Sequence, residues 1–181
     1  MTNSIAGSPM STSLIYSTTI AFIQEAHLGQ KYNNMPYFFH PVEVAEMAQK
    51  AYAHFDRIGS GLQTKKRLED IIIAALLHDV IEDTDYTAEM LAERYVSSVV
   101  GMVVLLTSDP DVPYLDNIQK IIDSGNVGAM LVKLSDNHVN REGDKSSFKP
   151  ERAMKLNDRY DASIDMLTVA IGALLTVPDA I

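Results

Sequence analysis

His78, Asp79, Glu82 and Asp83 fall within six positions of one another, directly after the apolar run Ile71 to Leu77. In a helix, residues four apart share a face, so His78 would lie above Glu82 and Asp79 above Asp83. A soluble core rarely buries that many ionisable groups unless they pair or hold a metal. Neutral imidazole with carboxylate oxygen suits a divalent first-row ion, and nearby free carboxylates can orient or deprotonate a water there. The plainer alternative is a buried helix whose polar end reaches solvent.

Further motifs stand on either side of this run. Ala26-His27-Leu28-Gly29-Gln30 comes first, then Pro36-Tyr37-Phe38-Phe39-His40-Pro41. Leu131-Val132-Lys133-Leu134-Ser135-Asp136 follows later, with Asn140 four residues on. Taken in order, the set resembles the HD-domain metal-dependent phosphohydrolases, and within them the RelA/SpoT-type alarmone hydrolases in their single-domain form. The resemblance runs from about residue 14 to residue 165. It implies that His40, His78, Asp79 and Asp136 ligate one divalent ion, taken as manganese. It also implies that Glu82 and Asp83 form the catalytic carboxylate pair. Physically, one of them can accept a proton from water while the other orients it.

The same resemblance implies substrate contacts for Asn140, which shares a helix face with Asp136, and for Tyr160. The intervening Asn137-His138-Val139 departs from the Arg-Leu-His of the long enzymes. A second departure lies before the histidine-proline motif. There the long enzymes carry Arg-Lys, whereas this chain has the shorter Lys31-Tyr32-Asn33-Asn34-Met35 and no arginine. Lys31 is therefore expected to meet phosphate and Tyr32 to stack on the base. Stacking alone discriminates bases poorly, so adenine alarmones are expected as substrates beside guanine ones.

The reaction implied is removal of the 3′-diphosphate from (p)ppGpp or a related alarmone such as (pp)pApp, with release of pyrophosphate. The implied enzyme only degrades alarmone, pairs functionally with an alarmone synthetase and could act as its antitoxin; homo-oligomer formation stays open. The competing readings are an HD-domain nucleotidase acting on other nucleotides and a catalytically silent nucleotide-binding helical module. His27 reads as a packing histidine and His54 as a surface one.

Composition narrows the rest. A chain of 181 residues is one domain, long enough to bury a sizeable core. With no cysteine there is no thiolate site, which leaves His, Asp and Glu as ligands. A formal net charge of -9 argues against a general nucleic-acid binder, but not against a small phosphorylated substrate met by a cation and local basic groups. The first residues lack a basic segment followed by an apolar one, and Met166–Val177 is too short and interrupted to span a bilayer. A cytoplasmic enzyme without membrane contact is the simplest reading.

The elements that must position these groups read as helices throughout. Residues 1–12 form an expected mobile tail, and residues 13–181 the hydrolase domain. Helical spacing runs over Leu14–Leu28, with Gly29 as a stop, and from Pro41 to about Phe55 with His40 at its entrance. Gly59-Ser60-Gly61 reads as a flexible connection, and Thr64 or a neighbour opens the central helix. Short helices follow from Thr87 and over Val96–Leu106, then Tyr114–Asp123 and Val127–Asn140. One or two helices close the chain from Met154 to about Val177. No alternating pattern suggests a sheet, so the expected fold is an all-α HD-type helical bundle with the metal site in a central cleft.

Overall fold

In the computed structural model, which describes residues 12–58 and 65–176, one buried helix organises the others. The elements in chain order are α1 (Thr12–Ala26), β1 (Lys31–Tyr32), β2 (Met35–Pro36), α2 (Phe39–Ile58) and α3 (Lys65–Leu77). They continue with α4 (Val80–Asp83), α5 (Ala88–Ala92), α6 (Ser97–Leu106), α7 (Tyr114–Asp123), α8 (Val127–Glu142) and α9 (Pro150–Thr176). The fold is all-α, as the spacing predicts. Most of the expected tail, the Gly59-Ser60-Gly61 connection and Thr64 lie outside the described residues.

Helix α8 is buried without interruption from Gly128 to Asn137. A helix apolar on one stripe would sit on the surface; one buried on every side must be surrounded. Accordingly α8 packs against α2, α3, α6, α7 and α9. Its apolar residues Met130, Leu131 and Val132 join Ile71, Leu76 and Leu77 of α3 in the core. The polar residues within this run are satisfied locally. Ser135 Oγ donates to the Leu131 carbonyl at 2.7 Å, and Lys133 Nζ meets Asp136 Oδ2 at 2.8 Å. Buried polar groups are tolerated when bonded in this way.

The run around His78 is not one continuous helix. α3 stops at Leu77, His78 and Asp79 form a turn, and the single turn of α4 follows. Adjacent residues on a straight helix point about 100° apart and do not face each other. The break removes that restriction, and His78 Nε2 comes within 2.9 Å of Asp79 Oδ2.

The stretch before α2 carries the only strands among the described residues. Asn33 and Asn34 both have positive φ, 48° and 64°, the pair of left-handed residues that a type I′ hairpin turn needs. A minimal ribbon results, with Lys31 opposite Pro36 and Tyr32 opposite Met35. Asparagine tolerates this conformation better than most residues, which is the sequence signal for the turn. The closing segment is one helix of 27 residues.

The start of α8 is set by Asn126, whose Oδ1 accepts from the Ala129 N–H at 3.0 Å. Asn126→Ala should cost about 1 kcal/mol of stability, the usual worth of such a cap. The check is a lower midpoint in urea melts with unchanged slope; an unshifted midpoint would mean that burial alone sets where α8 begins.

Candidate metal centre

Three parts of the chain bring donors to one point. His40 lies in the first turn of α2, where its N–H bonds the Tyr37 carbonyl at 2.9 Å. His78 and Asp79 come from the α3–α4 break, and Asp136 from buried α8. One donor atom each of His40, His78 and Asp79 lies within 4.8 Å of the others. Asp136 Oδ1 stands 3.3 Å from His40 Nε2 and 3.6 Å from His78 Nε2. His40 Nε2 is 3.7 Å from Asp79 Oδ2. Both imidazoles are buried, 2% exposed each, as is Asp136 at 4%.

These separations fit a shared cation better than mutual hydrogen bonds. Ligands about 2.1 Å from one ion stand roughly 3.0–3.4 Å apart in octahedral or tetrahedral arrangement. His78 Nε2, though 2.9 Å from a carboxylate oxygen, makes no well-directed hydrogen bond and is fully shielded from water. Its other nitrogen, Nδ1, donates to the Ala75 carbonyl at 2.8 Å. That bond fixes the proton on Nδ1 and leaves the Nε2 lone pair free, the arrangement second-shell bonds impose on metal-binding histidines. Two imidazoles and two carboxylates are a donor set for a divalent ion.

The electrostatics agree with a site built for positive charge. Burial opposes protonation of His78, yet the Asp79 and Asp136 carboxylates outweigh it and lift the imidazole to about 10. Burial likewise works against an ionised Asp79, but the facing His78 holds it down to about 2. Asp136 lies well below the usual carboxylate range, because Lys133 and the two histidines overcome its desolvation. A proton or a metal ion can supply the charge that these carboxylates require, and the two compete for it.

A group of side chains holds these four residues in place. The Tyr37 hydroxyl donates to Asp79 Oδ2 at 2.5 Å and lies 3.2 Å from Asp83 Oδ2. Burial and the two aspartates push this phenol far above its ordinary value, so it remains a donor. Asn140 Nδ2 donates to Asp136 Oδ1 at 2.6 Å, while its Oδ1 accepts from the Tyr32 hydroxyl at 3.2 Å. Glu82 and Asp83 diverge. Glu82 Oε2 accepts from the Ser108 N–H at 2.9 Å, whereas Asp83 turns to Tyr37, its carboxyl raised by burial and by Asp79.

His40, Asp79 and Asp136 open onto a cavity of about 450 Å³ that Glu82 and Asp83 also line, with His78 buried behind them. A second cavity of about 500 Å³ adjoins it, with Tyr32, Asn140 and Tyr160 common to both walls. Lys31 is exposed on the rim of the second cavity. Tyr32 packs its ring 4.5 Å from that of His40, so it touches the metal centre as well as the second cavity. His27 stays apart from the ligands, its ring 4.6 Å from Tyr37 and its Nδ1 bonded to Gln30 Oε1 at 2.8 Å. His54 is exposed.

Sequence reasoning assigned no role to Tyr37, Lys133, Tyr114 or Arg159. Lys133 had a signal, being a lone cation inside an apolar run three residues before Asp136. Tyr37 had only its place in the motif, and Tyr114 and Arg159 had none.

A helical bundle holding a His/Asp centre across three of its segments is the class that fold and site define. The chain belongs to the HD-domain family, whose model matches residues 37–163. It is 30% identical over 143 residues to guanosine-3′,5′-bis(diphosphate) 3′-pyrophosphohydrolase of Haemophilus influenzae, covering 74% of this chain and 19% of that protein. It is 29% identical over 136 residues to guanosine-3′,5′-bis(diphosphate) 3′-pyrophosphohydrolase MESH1 of Danio rerio, covering 72% of this chain and 69% of that one. The chain thus spans about a fifth of the bacterial relative and about two thirds of the zebrafish one. Among solved structures it resembles a metazoan ortholog of SpoT described as hydrolysing ppGpp, with TM-score 0.64, 20% identity and 94% of each chain covered. At that identity the likeness speaks for the fold.

Asp79→Ala removes a carboxylate that faces both imidazoles. The parent should purify with a divalent ion and the variant without it, as read by elemental analysis. Full occupancy in the variant would remove Asp79 from the ligand set.

Proposed function

We propose that residues 13–181 form a manganese-dependent hydrolase that removes the 3′-diphosphate of (p)ppGpp and of related alarmones such as (pp)pApp. The observation that carries the reading is the convergence of two imidazoles and two carboxylates beside a cleft whose wall also bears Glu82 and Asp83. The names of the bacterial and zebrafish relatives support the substrate class. Manganese suits a mixed nitrogen and oxygen donor set with room for water and phosphate oxygen. No helix among the described residues is long and apolar enough to cross a membrane, which is compatible with action in the cytoplasm.

His40, His78, Asp79 and Asp136 would hold the ion. A divalent ion bound there lowers the pKa of water in its shell and offsets phosphate charge. Glu82 accepts a proton from the attacking water, held for this by the Ser108 N–H. Asp83, tied to Asp79 through the Tyr37 hydroxyl, orients that water. The water oxygen bonds to the phosphorus next to the ribose, the bond from that phosphorus to the 3′-oxygen breaks, and the 3′-oxygen takes up a proton. Pyrophosphate and a nucleoside with a free 3′-hydroxyl result.

Asn140 has one amide hydrogen committed to Asp136 and a second available to sugar or phosphate. Tyr160 borders the passage between the two cavities, where the nucleoside would lie, and Lys31 meets phosphate at the rim. Tyr32 contributes the aromatic surface for the base.

Two measurements test these roles. Glu82→Gln should retain the metal while kcat falls about 10²–10⁴-fold, the usual loss of a general base; a near-normal rate at saturating metal would reduce Glu82 to the end of a helix. For the base, kcat/KM for ppGpp and ppApp should be similar in the parent and fall for both in Tyr32→Ala. A large guanine preference that survives loss of the ring would move base recognition to the Asn140 and Tyr160 side.

A further inference from the structure

The metal-bearing cavity is lined by five carboxylates, from Asp79, Glu82, Asp83, Asp109 and Asp136, against two cationic side chains, Lys133 and Arg159. Lys133 is spent on the structure, since its ammonium lies 2.8 Å from Asp136 Oδ2 in a buried pair. Arg159 is not. Among the described residues no carboxylate pairs with it, and its Nε is buried without a hydrogen-bond partner. A guanidinium with an unused, shielded donor is costly unless something anionic completes it.

The guanidinium is held in a set position. It lies over the Tyr114 ring, 4.2 Å from the centroid, and its Nη2 donates to the Tyr160 hydroxyl at 3.3 Å. Tyr114 is itself anchored from behind. Its hydroxyl donates to Asn137 Oδ1 at 2.5 Å, and Asn137 Nδ2 donates to Ser163 Oγ at 2.5 Å, both partners being buried. Stacking on an aromatic face leaves the edge of the guanidinium, with its forked N–H groups, free to meet a phosphate.

We propose that Arg159 is the anion clamp of the metal cavity and holds the terminal phosphate of the 3′-diphosphate while water attacks the inner one. The assignment rests on the functional reading above. Its geometry separates the two phosphates: Tyr32, Asn140 and Tyr160 lead to the second cavity, whereas Arg159 and Tyr114 line the metal cavity alone. An anion at Arg159 therefore sits on the metal-cavity side of Tyr160. The basic residues Lys31, Lys145 and Arg152 border the other cavity, and Lys145 is occupied by the carbonyls of Asn140, Arg141 and Gly143. The clamp would also set specificity, since a 3′-monophosphate has no group to reach it.

The test is calorimetric titration of inorganic pyrophosphate, and separately of inorganic phosphate, into the manganese-loaded protein. Arg159→Gln should weaken pyrophosphate binding about 10- to 100-fold, the range for losing charge-assisted bonds to a phosphate. Inorganic phosphate affinity, metal content and the thermal midpoint should stay near parent values. Arg159→Lys keeps the charge without the fork and should give an intermediate pyrophosphate affinity; it decides the matter if the glutamine variant fails to fold. Pyrophosphate affinity within threefold of the parent in a folded, metal-loaded variant would overturn the proposal, as would an equal loss for both anions. Failure of the functional reading looks different: the parent would release no pyrophosphate from a nucleoside 3′-diphosphate, whatever Arg159 does to anion binding.

Discussion

The structure depends on how charge is balanced around Asp136 at the centre of α8. An ionised carboxylate that deep in a helical core is tolerated only with partners of opposite charge. Lys133, one turn earlier on the same helix, answers one of its oxygens. The other oxygen faces Asn140, His40 and His78 together. Asp79 adds a second negative charge across the same gap, with a phenol rather than a cation as its nearest donor. The cluster thus holds more negative charge than its permanent cation neutralises. A proton on His78 or a divalent ion among these side chains would restore the balance, and the raised imidazole expresses the same demand.

The architecture follows from bringing those groups together. α8 must be surrounded on all sides, and α2, α3, α6, α7 and α9 all pack against it. α3 has to stop where it does, because an unbroken helix would aim His78 and Asp79 apart. The two-residue strands before α2 reverse the chain so that Tyr32 reaches His40 and Tyr37 reaches Asp79. α9 closes the far wall, and its Ser163 reaches Asn137 to complete the polar layer beside Asp136. Each polar residue near the centre is therefore part of the packing as well as of the site.

Much of this was legible in the sequence because the signals are local. Helical spacing locates α7 over Tyr114–Asp123 to the residue, and Gly29 and Gly125 mark stops at which φ is +86° and +65°. His40, His78, Asp79 and Asp136, which meet at the centre, were named from motifs that resemble those of a known family. What was not legible depends on contacts between distant segments. The break after Leu77 has no proline or glycine to announce it. The tie from Tyr37 to both aspartates exists only once the hairpin has turned. Arg159 stacks on Tyr114 because α9 runs past α7, a relation that no local pattern encodes. Asn33-Asn34 carried the turn signal, but two residues per strand are too few to show alternation.

The proposed activity requires this cleft to direct water to the phosphorus attached to the ribose 3′-oxygen. Hydrolysis of ppGpp by the manganese-loaded protein in water enriched in heavy oxygen tests it directly. Mass spectrometry of the products should find the label in pyrophosphate and none in the 3′-hydroxyl of the nucleotide. Label in the nucleotide, or release of inorganic phosphate with a 3′-monophosphate left behind, would rule out attack at that phosphorus.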